Sequence, residues 1–260
     1  MTSWAFLSAD PHAALCAYHT RMSASYDEIA DWYDRVVRGG TIVQDAAMGV
    51  LHNLAGNVEG LSICDLACGQ GILARGLAGR GARVTGIDTS TKLLEIARRD
   101  EGGHPLGIQY SEMDAQTLAG FSASIFDGVV CNLALMDIAN LAATSASVFR
   151  VLRSSGWFAF SIMHPCFQTS DSAWVADDSR TGRLVRAYFA EGRWHPQRTD
   201  GMRARVGAVH RTLSTYLNTL TSAGLVLHAL SEPQLAREPG RLEPAYDEVP
   251  AVLGARFIKP

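Results

Sequence analysis

The segment Leu61-Ser62-Ile63-Cys64-Asp65-Leu66-Ala67-Cys68-Gly69-Gln70-Gly71-Ile72-Leu73-Ala74 decides the fold. Its first six residues are a short, mostly apolar run closed by glycines, whereas Ile72, Leu73, Ala74, Leu77 and Ala78 recur at helical spacing. The segment therefore reads as strand, tight turn, helix. Downstream the rhythm repeats. Residues 84–87 give a second strand ending in Asp88, and Ser90 can cap a helix carrying Leu93, Leu94 and Ala97. Residues 108–111 and 126–133 read as a third and a fourth strand, the latter apolar enough for the middle of a parallel sheet.

Leu141, Val148 and Leu152 share a helical face ahead of a fifth strand at 157–162, which ends in Met163-His164-Pro165. Leu213, Tyr216, Leu217 and Leu220 predict a helix stopped by Gly224. A sixth strand at 225–230 follows, and the run 251–258 can pair back antiparallel with it. Upstream, Asp10-Pro11 and the Ser25/Glu28 capping-box spacing predict two helices before the sheet. This alternation predicts an α/β, Rossmann-like doubly wound sheet, mostly parallel with an antiparallel last strand, preceded by N-terminal helices and interrupted by an inserted lid. The corresponding regions are a helical cap at 1–60, a core at 61–166, an insertion at 167–210 and a closing helix and strands at 211–260. The insertion, arginine-rich between Asp177 and Arg211 and carrying Trp174, Tyr188 and Trp194, falls where the chain passes over the carboxyl ends of the strands.

Composition bounds the chemistry. A chain of 260 residues with 47% apolar residues buries about 70–75% of its unfolded surface, so it needs no disulfide or metal staple. Its net charge of −3 argues against a general nucleic-acid binder, which needs a basic face to displace counterions. The five cysteines are odd in number and mostly within apolar runs, which predicts reduced core thiols and no zinc site. With no run of about 18 apolar residues and no secretory leader pattern, the expected setting is the cytoplasm.

The glycine turn lets a ligand approach the backbone at a helix N-terminus, and Asp88, 19 residues after Gly69, is placed to accept hydrogen bonds from both hydroxyls of a ribose. A nucleoside-bearing ligand follows. Gly69-Gln70-Gly71-Ile72-Leu73-Ala74 also satisfies the dinucleotide pattern, so an NAD-dependent oxidoreductase is the rival reading. Asp65 separates the two, because a carboxylate beside this turn repels a pyrophosphate and attracts the cationic end of S-adenosylmethionine.

With D-L-A-C-G-Q-G at 65–71, G-I-D at 86–88, M-D-A at 113–115 and F-D-G-V-V-C-N-L-A-L at 126–135, the chain resembles the class I S-adenosylmethionine-dependent methyltransferases over residues 25–165 and weakly over 211–260. The resemblance implies that Gly69 and Gly71 approach the cofactor, with Ala67 in the same turn. It places Asp65 near the methionine end, Asp88 on the ribose with Thr89 beside it, Asp114 on the adenine amino group between Met113 and Ala115, and Asn132 at the end of the fourth strand. Tyr33, in the Y-D-E-I-A-D-W-Y-D run at 26–34, is a further cofactor contact in a helix similar to the one that closes over the cofactor in small-molecule members. A relative that keeps the cofactor without methylating stays open as a second alternative. His164 is the candidate general base, since an imidazole at the end of the fifth strand suits a phenolic proton. Asn132-Leu133-Ala134-Leu135 departs from the N-P-P-Y and D-P-P-Y types that act on bases or glutamine side chains. The expected partner is a small-molecule acceptor methylated on oxygen ahead of nitrogen or carbon, with no nucleic acid, membrane or metal, and with a homodimer left open.

Overall fold

The computed structural model describes residues 26–176, 181–195, 201–235 and 246–260. Helix α1 covers 26–38 and leads into α2, Ile42–Ala55, whose first turn is capped by Thr41 Oγ1 accepting from the Gln44 backbone N–H at 3.1 Å. Thr41 and Gln44 stand at capping-box spacing, the local signal that marks this helix. The predicted helix at Asp10-Pro11, and Ser25 of the predicted cap, lie outside the described residues.

The sheet follows the predicted alternation. β1 (Ser62–Leu66), α3 (Ile72–Ala78), β2 (Arg83–Asp88), α4 (Thr91–Gly103), β3 (Gln109–Glu112), β4 (Phe126–Asn132), α5 (Leu141–Val151) and β5 (Leu152–Met163) form the parallel part. The chain then passes through the hairpin β6 (Asp171–Ala176) with β7 (Thr181–Arg186), the pair β8 (Gly192–Trp194) and β9 (Ala208–His210), and the short α6 (Met202–Val206) between these last two. It returns through α7 (Leu213–Ser222), β10 (Val226–Ser231) and β11 (Val252–Ile258). The seven strands lie in the order β10-β11-β5-β4-β1-β2-β3, with β11 antiparallel to both of its neighbours.

The antiparallel pairing of the last two strands is as the sequence predicts, and β11 also inserts itself beside β5. Its composition explains the place: Val252, Leu253, Ala255 and Phe257 are all buried and need cover on both faces, whereas Val226, Leu227 and Leu230 of edge strand β10 are exposed. Alternate side chains of each strand feed opposite faces. Cys64, Cys131 and Phe158 pack with Val148 and Leu220 of α5 and α7, while Ile63, Val130 and Ala159 pack with Leu51 and Leu77 of α2 and α3. Cys64 and Cys131 are free thiols inside that core, and Cys16 is outside the described residues.

β5 begins five residues earlier than its apolar run. Arg153, Ser154 and Ser155 are exposed, so hydropathy alone does not mark this stretch as strand. No described helix is long and apolar enough to cross a membrane.

Gly254 of β11 faces α2 so closely that a Cβ there would lie 2.1 Å from Val50 Cγ1 and 3.1 Å from Leu54 Cδ1. Gly254→Ala is therefore expected to destabilise the fold by about 1–3 kcal/mol through overpacking, read as a lower urea midpoint at unchanged slope.

Candidate active site

The turn after β1 is built from three alternate departures from ordinary backbone: Ala67 and Gly69 at φ of 55° each, then Gly71 at 83°. Two contacts fix its shape. The Cys68 N–H donates to Ile87 O at 2.8 Å, and the Gly69 N–H donates to Asp88 Oδ2 at 2.8 Å. The other oxygen of Asp88 accepts from the Ser90 N–H at 2.8 Å, and Ser90 in turn caps α4 by accepting from the Leu93 N–H. One carboxylate thus clamps the first two βα turns together. Gly71 has a different reason to be glycine, because a Cβ there would lie 2.3 Å from the Tyr110 hydroxyl.

These turns open onto a cavity of about 390 Å³ at the carboxyl ends of the central strands. Asp65, Ala67 and Gly69 reach its wall from the first turn, and Asp88 and Thr89 from the second. Met113, Asp114 and Ala115 come from the segment after β3, Asn132 from the end of β4, and Tyr33 from α1. Of the predicted cofactor contacts only Gly71 lies off the wall, behind the turn against Tyr110.

The predicted polar side chains are held by fixed partners. Asp114 Oδ1 accepts from the Gln116 backbone N–H at 2.8 Å, and both of its oxygens lie 3.0 Å from Gln116 Nε2. Gln116 also accepts from the Asn140 N–H at 3.0 Å, which ties the loop to the start of α5. Asn132 Oδ1 accepts from Ser161 Oγ at 2.7 Å, so its amide N–H side turns toward Met48 Sδ, 3.6 Å away.

Charge on the wall is one-sided. Among the described residues it carries Asp45, Asp65, Asp88, Asp114 and Asp137 against a single guanidinium, that of Arg203, which is paired with Asp137. Burial raises the carboxyls of Asp88 and Asp137 above the usual range. Asp65 is affected most: burial, opposed by a hydrogen bond from the Ala74 backbone and reinforced by Asp88, pushes it up to about 8. Asp65 is 1% exposed and its Oδ2 has no hydrogen-bond partner. A buried acceptor without a donor is costly and fits a cationic ligand. The same wall repels a pyrophosphate.

His164, predicted as the general base, does not reach the cavity, although its neighbour Met163 does. Its Nδ1 accepts from the Cys166 N–H at 3.2 Å, which assigns the ring proton to Nε2, and Nε2 donates to Glu232 Oε1 at 2.6 Å. One nitrogen is spent on the turn after β5 and the other on Glu232, leaving no lone pair for an acceptor. Glu232 is 68 residues away in sequence, so no local signal announces this pair. Asp137 is the residue on the wall that spacing undervalues. It stands just ahead of α5, yet Asn140 caps that helix and Asp137 binds Tyr26 and Arg203.

A family model described as a methyltransferase domain matches residues 64–160. A solved S-adenosylmethionine-dependent methyltransferase from Mesorhizobium loti superposes with a TM-score of 0.70 at 29% identity, covering 85% of this chain and 99% of that one. Residues 64–160 thus match a methyltransferase domain, set in a fold shared with a solved S-adenosylmethionine-dependent methyltransferase. The chain is also 34% identical over 146 residues to a ubiquinone biosynthesis O-methyltransferase of Paracidovorax citrulli, covering 54% of this chain and 60% of that relative. It is 31% identical over 119 residues to the protein of the same description from Nitrosomonas europaea, covering 45% and 50%. The chain thus spans between half and three-fifths of the length of these two curated relatives. A geranyl diphosphate C-methyltransferase from Streptomyces coelicolor shares the fold at 12% identity and a TM-score of 0.61, covering 83% of this chain and 79% of that one.

The site carries a titration signature of its own. Folded Asp65 keeps its proton up to about pH 8, whereas an unfolded aspartate loses it near about pH 3.9, so the folded state binds more protons between these values. Stability contributed by this group is complete below about pH 4 and is lost as pH rises toward 8. Between pH 5 and 8.5, urea midpoints of the ligand-free protein are expected to fall more steeply for the wild type than for Asp65→Asn. Parallel curves would contradict the assignment.

Proposed function

We propose that this protein binds S-adenosylmethionine in the acidic cavity and transfers its methyl group to an oxygen of a small, largely apolar acceptor, releasing S-adenosylhomocysteine. The observation that carries the reading is the buried Asp65 with its partnerless oxygen on a wall of five aspartates and one arginine. When bound, the cofactor supplies a methyl already activated as a sulfonium.

The residues then divide the work. Asp65 holds the ammonium end, and Gly69 and Ala67 let the ligand approach the backbone. Asp88 still offers lone pairs to the ribose hydroxyls after accepting one turn N–H on each oxygen. Thr89 lies beside it, and Met113, Asp114 and Ala115 flank the adenine. Gly71 acts indirectly, by making room for Tyr110 behind the turn. Tyr33 and Asn132 complete the wall.

Val36, Val37, Met48, Leu133, Ile138 and Met163 give the rest of the cavity an apolar lining, suited to a hydrocarbon or ring acceptor. Oxygen is favoured because the curated relatives carry O-methyl transfer in their descriptions. Aligning donor and acceptor can supply about 7–11 kcal/mol, against roughly 3–5 kcal/mol for a general base. Loss of His164 from the site therefore leaves the mechanism intact. In this reading the insertion, which sends Met202 and Arg203 to the wall, serves as the acceptor lid. The reaction takes place in the cytoplasm, on a chain with no need of nucleic acid.

At 100 times its dissociation constant, S-adenosylhomocysteine is expected to stabilise the protein by about 2.7 kcal/mol, a rise in Tm of about 5–11 °C. A shift with NAD and none with S-adenosylhomocysteine would reverse the assignment. Formation of S-adenosylhomocysteine against a panel of apolar phenols and carboxylic acids tests the acceptor class, and turnover only with amines would overturn it. Asp88→Asn, which removes the charge while keeping one acceptor for the turn, is expected to weaken cofactor binding about tenfold or more by calorimetry.

A further inference from the structure

Among the segments outside the sheet that line the cavity are α1, through Tyr26, Tyr33, Val36 and Val37, and α6, through Met202 and Arg203. They come from opposite ends of the chain's architecture, one ahead of the core and one within the insertion, yet both end on the same carboxylate. Asp137, in the loop after β4, accepts from the Tyr26 hydroxyl on Oδ2 at 3.2 Å and from Arg203 Nη1 on Oδ1. Both side chains of the ion pair are largely buried, with 13% of Asp137 and 22% of Arg203 exposed, so water screens the pair weakly.

The loop carrying Asp137 is itself anchored to the insertion, because the Val209 N–H donates to Met136 O at 2.7 Å. Arg203 also donates to Gly207 O at 3.1 Å, which closes the turn after α6. A second, weaker contact joins the two helices directly: Arg205 stacks on the Trp32 ring with its Cζ 4.5 Å from the centroid. The Tyr26 ring meets Tyr33 edge-on, with centroids 5.4 Å apart, so a displacement of Tyr26 is passed to a residue on the wall.

We infer that Asp137 is a positioning residue that couples α1 to α6, so that the two helices order over the cavity as one cover. Removing either partner leaves a buried acceptor of Asp137 unpaired and frees the segment on the other side. The acceptor and the cofactor then share a single closure, and what fills one part of the cavity orders the wall of the rest.

Hydrogen exchange on the full-length, ligand-free protein with millisecond labelling tests the coupling. Tyr26→Phe removes one hydroxyl and keeps the ring packed on Tyr33. It is expected to speed exchange about fivefold or more in residues 201–206 as well as in 26–38, with β1 and β4 unchanged. Arg203→Met is expected to loosen the same two segments. Should Arg203→Met loosen the strands as well, Tyr26→Phe alone decides. Exchange accelerated only in the helix that carries the substitution would overturn the coupling.

A second readout rests on the cofactor assignment. S-adenosylhomocysteine should bind each single variant about fivefold or more weakly than the wild type, and the double variant little more weakly than either single one. Penalties that multiply would overturn the coupling, whereas a wild type that does not bind S-adenosylhomocysteine would sink the cofactor reading and leave the exchange result standing.

Discussion

The architecture of this site follows from burying a carboxylate where no donor meets one of its oxygens. Asp65 lies next to the end of a central strand, 1% exposed, and gains only a backbone hydrogen bond from Ala74. Such a group costs folding free energy, and it responds by holding its proton well above the ordinary range. A cation brought to the cavity lets it ionise and offsets that cost. Burial raises Asp88 too, but its oxygens are met by turn N–H groups that offset part of the effect, and it serves as the clamp that gives the cavity its shape. Two aspartates near each other thus have separate duties, set by the donors each one finds.

Much of this frame is legible in the sequence because its determinants are local. The β1 run, the glycine turn and the α3 periodicity occupy eighteen consecutive residues, 61–78, and the Asp88 clamp is the next strand's last residue. Backbone geometry forces such a unit together, so Asp65, Gly69 and Asp88 follow from residue type and spacing, whereas Ala67 and Thr89 come only with the family resemblance. The antiparallel partner of β10 was also readable, since a final apolar run after an edge strand has few other places to go. Its position beside β5 was not, because pairing along β5 depends on the whole sheet and not on neighbours in the chain.

What the sequence misreads is long-range and polar. His164 has the right residue type at the right strand end, and only Glu232, brought over by the return of the chain after β10, commits its ring elsewhere. Asp137 carries no local cue to its partners. Its pairing with Arg203 depends on an insertion whose hairpins bring the arginine back across the mouth of the sheet. Gly71 fits the ligand-binding pattern by spacing, and its side of the turn is fixed by Tyr110 on a neighbouring strand.

The most direct test of the account is the proton balance of cofactor binding. Calorimetric titration of S-adenosylhomocysteine at pH 7, in two buffers of different ionisation enthalpy, reports how many protons leave the protein. Release of close to one proton by the wild type and of nearly none by Asp65→Asn is the result the account predicts. Binding with no proton released by the wild type, or with equal release by both proteins, would contradict it.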